Sequence, residues 1–243
     1  MHPQICQIGP FTVYSYGLMM VAAFAIVSVL STRQAKKQAS SPDNIFNLLF
    51  AVFVFGIIGA RLFYVIENIG YYLKSPLEAI KLQHGGLSWF GGLIAGILTG
   101  SVYLRHKKMP IYKTLDLIVP FVALGQAIGR IGCLLNGCCF GRPSEFGIYF
   151  KAHQAILVPT QVYSSLMLIL VFIILRFFQE RPHREGVIFF AYLFLYSVKR
   201  FIIEFWRADN QVILLGLTLF QLISIAVFCF SVLGLLSISK TRE

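Results

Sequence analysis

Long apolar runs make up most of the chain and are separated by short polar segments. Seven of these runs are long enough to cross a bilayer, for which a helix needs about 20 residues. They cover roughly residues 13–31, 44–66, 86–104, 115–135, 160–178, 187–205 and 213–238. The pattern predicts an all-α integral membrane protein with seven transmembrane helices, built as one transmembrane domain over residues 1–243.

The positive charges between the runs predict the orientation in the membrane. The segments after runs one, three and five, together with the C-terminus, hold 12 of the 21 Lys and Arg residues. Arg61, Arg130, Lys199 and Arg200 belong to apolar runs, which leaves five on the other side. Because cytoplasmic loops are enriched in Lys and Arg, we expect the N-terminus outside and the C-terminus in the cytoplasm.

Composition narrows the class of partner. Apolar side chains make up 57% of the chain and charged ones 13%, with a formal net charge of +11. The basic residues are spread over short segments beside the apolar runs, so anionic membrane lipid is the predicted partner and nucleic acid is not.

Small residues recur at a spacing of four in runs two, three and four. They are Gly56 and Ala60, then Gly92, Gly96 and Gly100, then Gly125 and Gly129. Such faces let helix backbones approach closely in lipid. We expect these three helices to pack into a tight core.

Run four ends in the segment 129–141, which contains Arg130, Asn136 and three cysteines. An arginine at such depth costs at least a few kcal/mol and usually faces a partner or an anionic ligand. Arg130 is therefore a candidate active-site residue. The alternative is that Arg130 lies at the interface and its side chain extends to the lipid phosphates.

A polar stripe follows one face of run six. Tyr196, Arg200, Glu204 and Arg207 are separated by steps of four, four and three, which places them on one side of a helix. A polar stripe in a membrane helix faces protein, water or a ligand. The alternative is an Arg200–Glu204 ion pair that only fastens the helices.

In the predicted topology, Arg61, the segment 84–92, Arg130 with Asn136, and Arg200 with Glu204 lie in the outer half of the membrane. Arginines without a surplus of carboxylates indicate an anionic ligand, and guanidinium matches phosphate through bidentate hydrogen bonds. A phospholipid is the abundant phosphate ester at that depth.

Five cysteines give no pairwise disulfide framework. Cys133, Cys138 and Cys139 are interpreted as small packing residues. Zinc is disfavoured because no histidine or carboxylate with familiar ligand spacing lies nearby in the sequence. No glycine-rich phosphate loop is present either, so we expect no metal and no cofactor.

Six stretches together resemble the prolipoprotein diacylglyceryl transferases of bacterial inner membranes. They are residues 16–19, 59–64, 85–92, 129–141, 159–163 and 200–205. The resemblance implies transfer of a diacylglyceryl group from phosphatidylglycerol to the thiol of the lipobox cysteine in a prolipoprotein signal peptide. A thioether would form and glycerol phosphate would leave, as the first step of lipoprotein maturation in a multi-pass protein of the bacterial plasma membrane.

The resemblance also implies roles for individual residues. Arg130 and Arg200 match the two arginines that are essential in the family. The candidate catalytic residues are Arg130, Arg200, Tyr16 and Glu204. The candidate substrate-binding residues are Arg130, Arg61, Asn136, Gly141, Tyr196, Gly86 and Ser88.

Several positions depart from the family pattern. Phe90 occupies the place of the histidine often proposed as base, and His84 lies six residues earlier. Cys133, Leu134 and Cys138 replace Asn, Phe and Glu, and Val158 stands where histidine is common. Glu204, Tyr16 or a water are the remaining candidates for the base.

Two alternatives belong to other classes. One is a lipid or anion carrier that holds its ligand in the arginine cavity without breaking a bond. The other is a diverged paralogue that acts on a different acceptor, with Cys133, Cys138 or Cys139 itself accepting the lipid or acyl group.

The charge asymmetry generates a topology prediction. A reporter fused after Glu243 is expected to be cytoplasmic, because the excess of Lys and Arg places that end inside. Finding the reporter on the outer face would overturn the assignment of the polar residues to the outer half of the membrane.

Overall fold

The protein is described by a computed structural model that covers residues 3–8, 11–80, 85–208 and 210–240. His84, the histidine six residues before Phe90, lies outside the described residues.

Helices account for most of the described chain. They are α1 (Ser15–Lys37), α2 (Pro42–Glu67), the short α3 (Ile69–Tyr72), α4 (Trp89–His106), α5 (Ile111–Asn136), α6 (Thr160–Gln179), α7 (Val187–Glu204) and α8 (Leu219–Lys240). Each of the seven predicted runs corresponds to one of the long helices. A single 3₁₀ turn, Pro76–Ala79, follows α3.

Five of these helices, α1, α2, α5, α6 and α8, are long and apolar enough to cross a membrane. The chain is therefore a predominantly α-helical integral membrane protein. Helices α4 and α7 are 18 residues long, and α7 carries three charged side chains, Lys199, Arg200 and Glu204.

Three small two-stranded antiparallel sheets were not predicted. They pair β1 (Gln4–Ile8) with β2 (Phe11–Tyr14), β3 (Pro143–Phe150) with β4 (Ala155–Leu157), and β5 (Val212–Leu214) with β6 (Leu217–Thr218). The last hairpin lies in the predicted run 213–238, so α8 begins six residues later than expected. Hydropathy alone does not separate a short apolar hairpin from a helix end.

The chain divides into two compact units, Ser31–Ile111 and Met1–Leu30 with Tyr112–Glu243. In the first unit, α2 packs closely on α4 through small residues. A Cβ atom added to Gly91 would lie 2.5 Å from the carbonyl oxygen of Gly59, and one added to Gly92 would lie 3.4 Å from that of Gly56. The predicted small-residue packing is confirmed for this helix pair.

In the second unit, the glycines of α5 face α1. A Cβ atom on Gly125 would lie 2.6 Å from Cγ2 of Val27, and one on Gly132 would lie 3.0 Å from Cβ of Met19. Gly129 has open space around it. Gly125 therefore lets α5 pack closely on α1, a helix that the predicted core did not include, and Gly129 has no such role among the described residues.

Helices α5, α6 and α7 share an apolar core that includes Ala123, Leu175 and Ile188. Buried Asp116 of α5 accepts hydrogen bonds from the backbone N–H groups of Gly186, at 2.6 Å, and Phe189, at 2.7 Å. Gly186 immediately precedes α7 and Phe189 belongs to its first turn, where backbone N–H groups lack helical partners. Asp116 thus fixes the start of α7 against α5.

Candidate active site

The C-terminus of α5 leads into a loop that we call the cysteine loop, residues 137–142. The helix ends because Gly137 adopts a left-handed conformation with φ of 77°, a common way of terminating helices. Cys139 is also left-handed, with φ of 62°. Such a conformation is costly for a residue with a side chain and is concentrated at functional sites.

Hydrogen bonds from neighbouring elements hold the cysteine loop in place. Buried Thr160 and Gln161, at the start of α6, donate to the carbonyl oxygens of Cys139 at 2.7 Å and Cys138 at 2.6 Å. The N–H of Gly141 donates to Val158, at 2.9 Å. The loop is therefore fixed to the base of α6.

Gly141 has a steric reason to be glycine. An added Cβ atom would lie 2.5 Å from the carbonyl oxygen of Trp206 and 2.8 Å from Cβ of Val158. Gly141 was predicted to bind substrate, and the structure gives it a further role in letting the cysteine loop approach the end of α7.

Arg130 is half-buried in the last two turns of α5. Its guanidinium forms no hydrogen bond or ion pair with any residue that the structure describes. Lys199, Arg200 and Tyr16 lie close enough to interact with it electrostatically. Several positive charges therefore meet here, around a guanidinium whose hydrogen-bond donors remain available to a ligand.

Arg200 and Glu204 form the ion pair that their spacing allowed. Nη2 of Arg200 lies 3.1 Å from Oε2 of Glu204, and the two side chains are 12% and 0% exposed. No well-aligned donor reaches this Oε2 atom among the described residues, so the contact is a charge interaction rather than a directed hydrogen bond. The ring of Phe220 lies 4.4 Å from the guanidinium carbon of Arg200.

The other carboxylate oxygen of Glu204 is also occupied. Its Oε1 accepts hydrogen bonds from Thr218 at 2.9 Å and from Asn210 at 2.5 Å. Glu204 therefore holds Arg200 in place and joins the end of α7 to the segment that leads into α8. These contacts favour the ion-pair alternative over a proton acceptor.

Lys199 belongs to this region, although the sequence analysis gave it no role. Its side chain is buried, and its ammonium lies 4.8 Å from the ring centroid of Tyr196. Tyr196 in turn packs against Tyr192, with ring centroids 5.8 Å apart. Its position next to Arg200 within an apolar helix is the sequence feature that could have identified Lys199.

Cys133, Cys138 and Cys139 form what we call the thiol cluster. Their sulfur atoms all lie within 4.8 Å of one another, and all three thiols are free. Hydrogen bonds from the thiols of Cys133 and Cys138, with the positive charge of Arg207, lower the pKa of Cys139 below its ordinary value. The exposed Asn136 side chain interacts with the sulfur of Cys138. Three sulfur atoms at this separation are a potential metal site.

Arg61, Gly86 and Ser88 lie in the unit Ser31–Ile111. The buried guanidinium of Arg61 donates to four backbone carbonyl oxygens, those of Glu78 at 2.6 Å, Ala79 at 2.9 Å, Gly85 at 2.6 Å and Gly86 at 2.9 Å. Arg61, predicted to bind substrate, therefore connects the 3₁₀ turn to the residues just before α4.

Position 86, whose carbonyl accepts a hydrogen bond from Arg61, requires glycine. Gly86 has φ of 83°, and an added Cβ atom would lie 2.4 Å from the ring of Tyr64. The backbone N–H of Ser88 donates to the carbonyl oxygen of Ala60 at 2.9 Å. Two residues later, Phe90 packs edge-on against Trp89, with ring centroids 5.1 Å apart.

A cavity of about 480 Å³ lies beside the cysteine loop. It is lined by Ser144, Phe146, Val158, Tyr163, Met167, Ile203 and Trp206. Val158 and Trp206 are also the residues that crowd Gly141. The cavity therefore lies next to Gly141 of the cysteine loop, and most of its lining residues are apolar.

Comparison with known proteins decides the family. The model of the prolipoprotein diacylglyceryl transferase family matches residues 3–237. The chain belongs to this family. A relative from Clostridium tetani is 32% identical over 96% of this chain and 98% of its own length, and one from Streptococcus uberis is 32% identical over 99% and 95%. Both are named phosphatidylglycerol–prolipoprotein diacylglyceryl transferase.

Gly141 yields a stability prediction with a matched control. Gly141→Ala is expected to lower the thermal stability of the purified protein, because its new methyl group meets backbone and cannot be accommodated without moving the cysteine loop. Gly129→Ala is expected to leave stability unchanged or to raise it slightly, since the site is open and alanine favours helix. Equal effects of the two substitutions would contradict the steric role of Gly141.

Proposed function

We propose that the chain transfers the diacylglyceryl group of phosphatidylglycerol to the thiol of the lipobox cysteine of a prolipoprotein, forming a thioether and releasing glycerol phosphate. Membership of the transferase family over residues 3–237 supports this function. The single structural observation that carries it is Arg130, a half-buried guanidinium that has no hydrogen-bond partner among the described residues.

The arginines supply the positive charge that this reaction requires in its transition state. As the bond between the glyceryl carbon and the phosphate oxygen breaks, negative charge develops on the leaving phosphate, and preorganised cations at that position stabilise the transition state. Arg130 is assigned to the leaving phosphate. Arg200, held by Glu204 at 3.1 Å, supplies a second fixed positive charge.

The remaining residues bind or position the substrates. Tyr16 and Tyr196 offer hydroxyl groups next to the arginines, and Asn136 offers an amide at the end of α5. Gly141, which has no side chain, allows the cysteine loop to pack closely against Trp206. Arg61, Gly86 and Ser88 shape the segment before α4. The apolar cavity beside Gly141 is proposed to receive part of an acyl chain.

The nucleophile belongs to the acceptor peptide. A thiolate is far more reactive than a thiol, and a free cysteine is only a few per cent ionised at neutral pH. Phe90 has no group that accepts a proton, and Glu204 is committed to Arg200, Thr218 and Asn210. Tyr16 and a water remain the candidates for a general base, whose contribution is typically about 10²- to 10⁴-fold.

The membrane arrangement follows from the same proposal. All seven long helices are taken to span the plasma membrane of a bacterium, with the N-terminus outside, the C-terminus cytoplasmic and the chain acting as one transmembrane domain. The donor lipid and the signal peptide of the prolipoprotein both reach the site from the bilayer.

Product analysis tests the function. The purified protein is incubated with phosphatidylglycerol and a lipobox peptide, and we expect a diacylglyceryl thioether on the peptide and free glycerol phosphate in equal amounts. A peptide with serine in place of the cysteine is the control and should not react. Lipid binding with neither product would indicate a carrier, and a lipid attached to the protein itself would indicate the diverged paralogue.

Arg130→Lys tests the residue that carries the proposal. Activity is expected to fall at least tenfold in a folded protein, because an ammonium cannot reproduce the planar fork on a phosphate. The matched control is Arg142→Lys, since the side chain of Arg142 is exposed and its backbone N–H donates to the carbonyl oxygen of Trp206. Turnover of Arg130→Lys near that of the unmodified protein would make Arg130 a structural residue.

A pH profile separates the candidates for the base. Over about pH 6 to 9 the rate should rise as the substrate thiol ionises. Phe90→His is expected to gain less than tenfold, and Glu204→Gln to lose much activity at every pH because Arg200 loses its counter-charge. Glu180→Gln is the control, since the exposed Arg176–Glu180 pair has the same spacing.

Two outcomes would contradict this assignment. One is near-normal turnover of Glu204→Gln, and the other is a Phe90→His variant that is active while the unmodified protein is inactive.

A further inference from the structure

The thiol cluster is the chemical feature of this region to which the reaction described above assigns no role. The sulfur atoms of Cys133, Cys138 and Cys139 lie within 4.8 Å of one another. Zinc binds thiolates at about 2.3 Å in a tetrahedron, which places neighbouring sulfur atoms about 3.8 Å apart. Small side-chain rotations therefore bring the three sulfur atoms into ligand positions around one ion.

The backbone that carries two of these cysteines is fixed. Thr160 and Gln161 hold the carbonyl groups of Cys139 and Cys138, and the N–H of Cys138 donates to the carbonyl of Cys133 at 3.1 Å. Cys139 keeps a left-handed conformation in which its thiol joins the other two. A site held in a costly backbone conformation by several hydrogen bonds is preorganised for a ligand.

Charge also favours a thiolate–metal centre here. The positive charges of Arg130 and Arg207 both act on Cys139. Three thiolates and one divalent cation carry a net charge of −1, which these arginines stabilise. Soft thiolate ligands select zinc or copper(I) over magnesium and calcium.

The fourth ligand position is open. Among the residues that the structure describes, no histidine, aspartate, glutamate or further cysteine completes the group of three. Structural zinc sites have four protein ligands, whereas catalytic sites have three and leave one position for water or substrate. The acceptor in the proposed reaction is itself a thiol, which is a suitable fourth ligand.

We propose that Cys133, Cys138 and Cys139 bind one zinc ion whose open position takes the thiol of the acceptor peptide and activates it as a thiolate. This inference rests on the proposed function for the identity of the acceptor. It departs from the expectation that no metal is involved, which considered only spacing along the sequence.

The step is balanced without an oxidant or reductant. On binding zinc, the peptide thiol releases its proton to water, because coordination deprotonates a thiol. The sulfur then attacks the glyceryl carbon of phosphatidylglycerol. A C–S bond forms, the C–O bond breaks, and its electron pair leaves on the phosphate oxygen of glycerol phosphate beside Arg130. The neutral thioether is a weak ligand and dissociates.

This arrangement accounts for a reaction in which neither Phe90 nor Glu204 acts as the base. Phe90 accepts no proton, and both oxygens of Glu204 are engaged. Coordination to zinc supplies the ionised thiol that a base would otherwise generate.

Metal binding is tested first, without reference to activity. The full-length protein is purified under reducing conditions, loaded with zinc or cobalt(II), and analysed for metal content and for thiolate-to-cobalt charge-transfer absorption. We expect one ion per chain and this absorption. Replacing Cys133, Cys138 and Cys139 together by serine should abolish both, and each single replacement should weaken the absorption.

The matched control replaces Cys6 and Cys229 by serine. Both cysteines are free and exposed and lie outside the cluster, so metal content and absorption should stay unchanged. Failure of the reduced unmodified protein to retain zinc or cobalt would overturn the proposal. Equal metal retention by the triple variant would overturn it as well.

The open position is tested with the lipobox peptide. Adding the cysteine peptide to the cobalt-loaded protein is expected to change the visible spectrum, and the serine peptide is expected to leave it unchanged. An identical response to both peptides would overturn the activation of the acceptor thiol.

Transfer assays then separate this inference from the proposed function. Removal of zinc by a chelator should slow thioether formation at least tenfold, and added zinc should restore it. Transfer at the full rate in chelator would overturn the zinc proposal and leave the transferase function intact. Metal binding without any transfer would leave the zinc site intact and overturn the transferase. A diacylglyceryl adduct on the thiol cluster itself would overturn the proposal.

Discussion

An unbalanced positive charge at the end of α5 is the constraint on which the rest of the site depends. Arg130 is half-buried and has no hydrogen-bond partner among the described residues, while Lys199 and Arg200 add positive charge nearby. In apolar surroundings such charges raise the free energy of the folded protein unless an anion compensates them. The surrounding contacts keep the cations at the site, and in the proposed reaction a phosphate ester would supply the missing negative charge.

Two sets of contacts around these charges have different structural roles. Glu204 neutralises part of the charge of Arg200 and connects α7 to the segment before α8 through Thr218 and Asn210. Thr160 and Gln161 fix the cysteine loop, so that the three thiols stay together. In the proposed reaction, the first set of contacts would prepare the position of the leaving group, and the second would prepare the position from which the acceptor thiol arrives.

Much of this arrangement follows from the sequence. Membrane helices need about 20 apolar residues, so the runs revealed the long helices, and the spacing of Arg200 and Glu204 predicted their ion pair. The partners of Glu204 in other elements were not predictable, because they depend on how the chain turns after Glu204. The β hairpins were missed because they are short and apolar. The four backbone partners of Arg61 were not predictable, because they lie 17 to 25 residues further along the chain.

The thiol cluster could not be predicted from the sequence either. Along the chain, Cys133 is separated from Cys138 by most of a helical turn and a left-handed glycine, a spacing that matches no familiar metal motif. Only the backbone geometry of Gly137 and Cys139 brings the sulfur atoms together.

The central claim is that Arg130 stabilises charge on the leaving phosphate, and the dependence of the rate on leaving-group basicity tests it most directly. The measurement compares a series of diacylglyceryl phosphodiester donors with the unmodified protein and with Arg130→Lys. A fixed guanidinium on the departing oxygen predicts a shallow dependence for the unmodified protein and a steeper one for the variant. Equal slopes for the two proteins would contradict this role of Arg130.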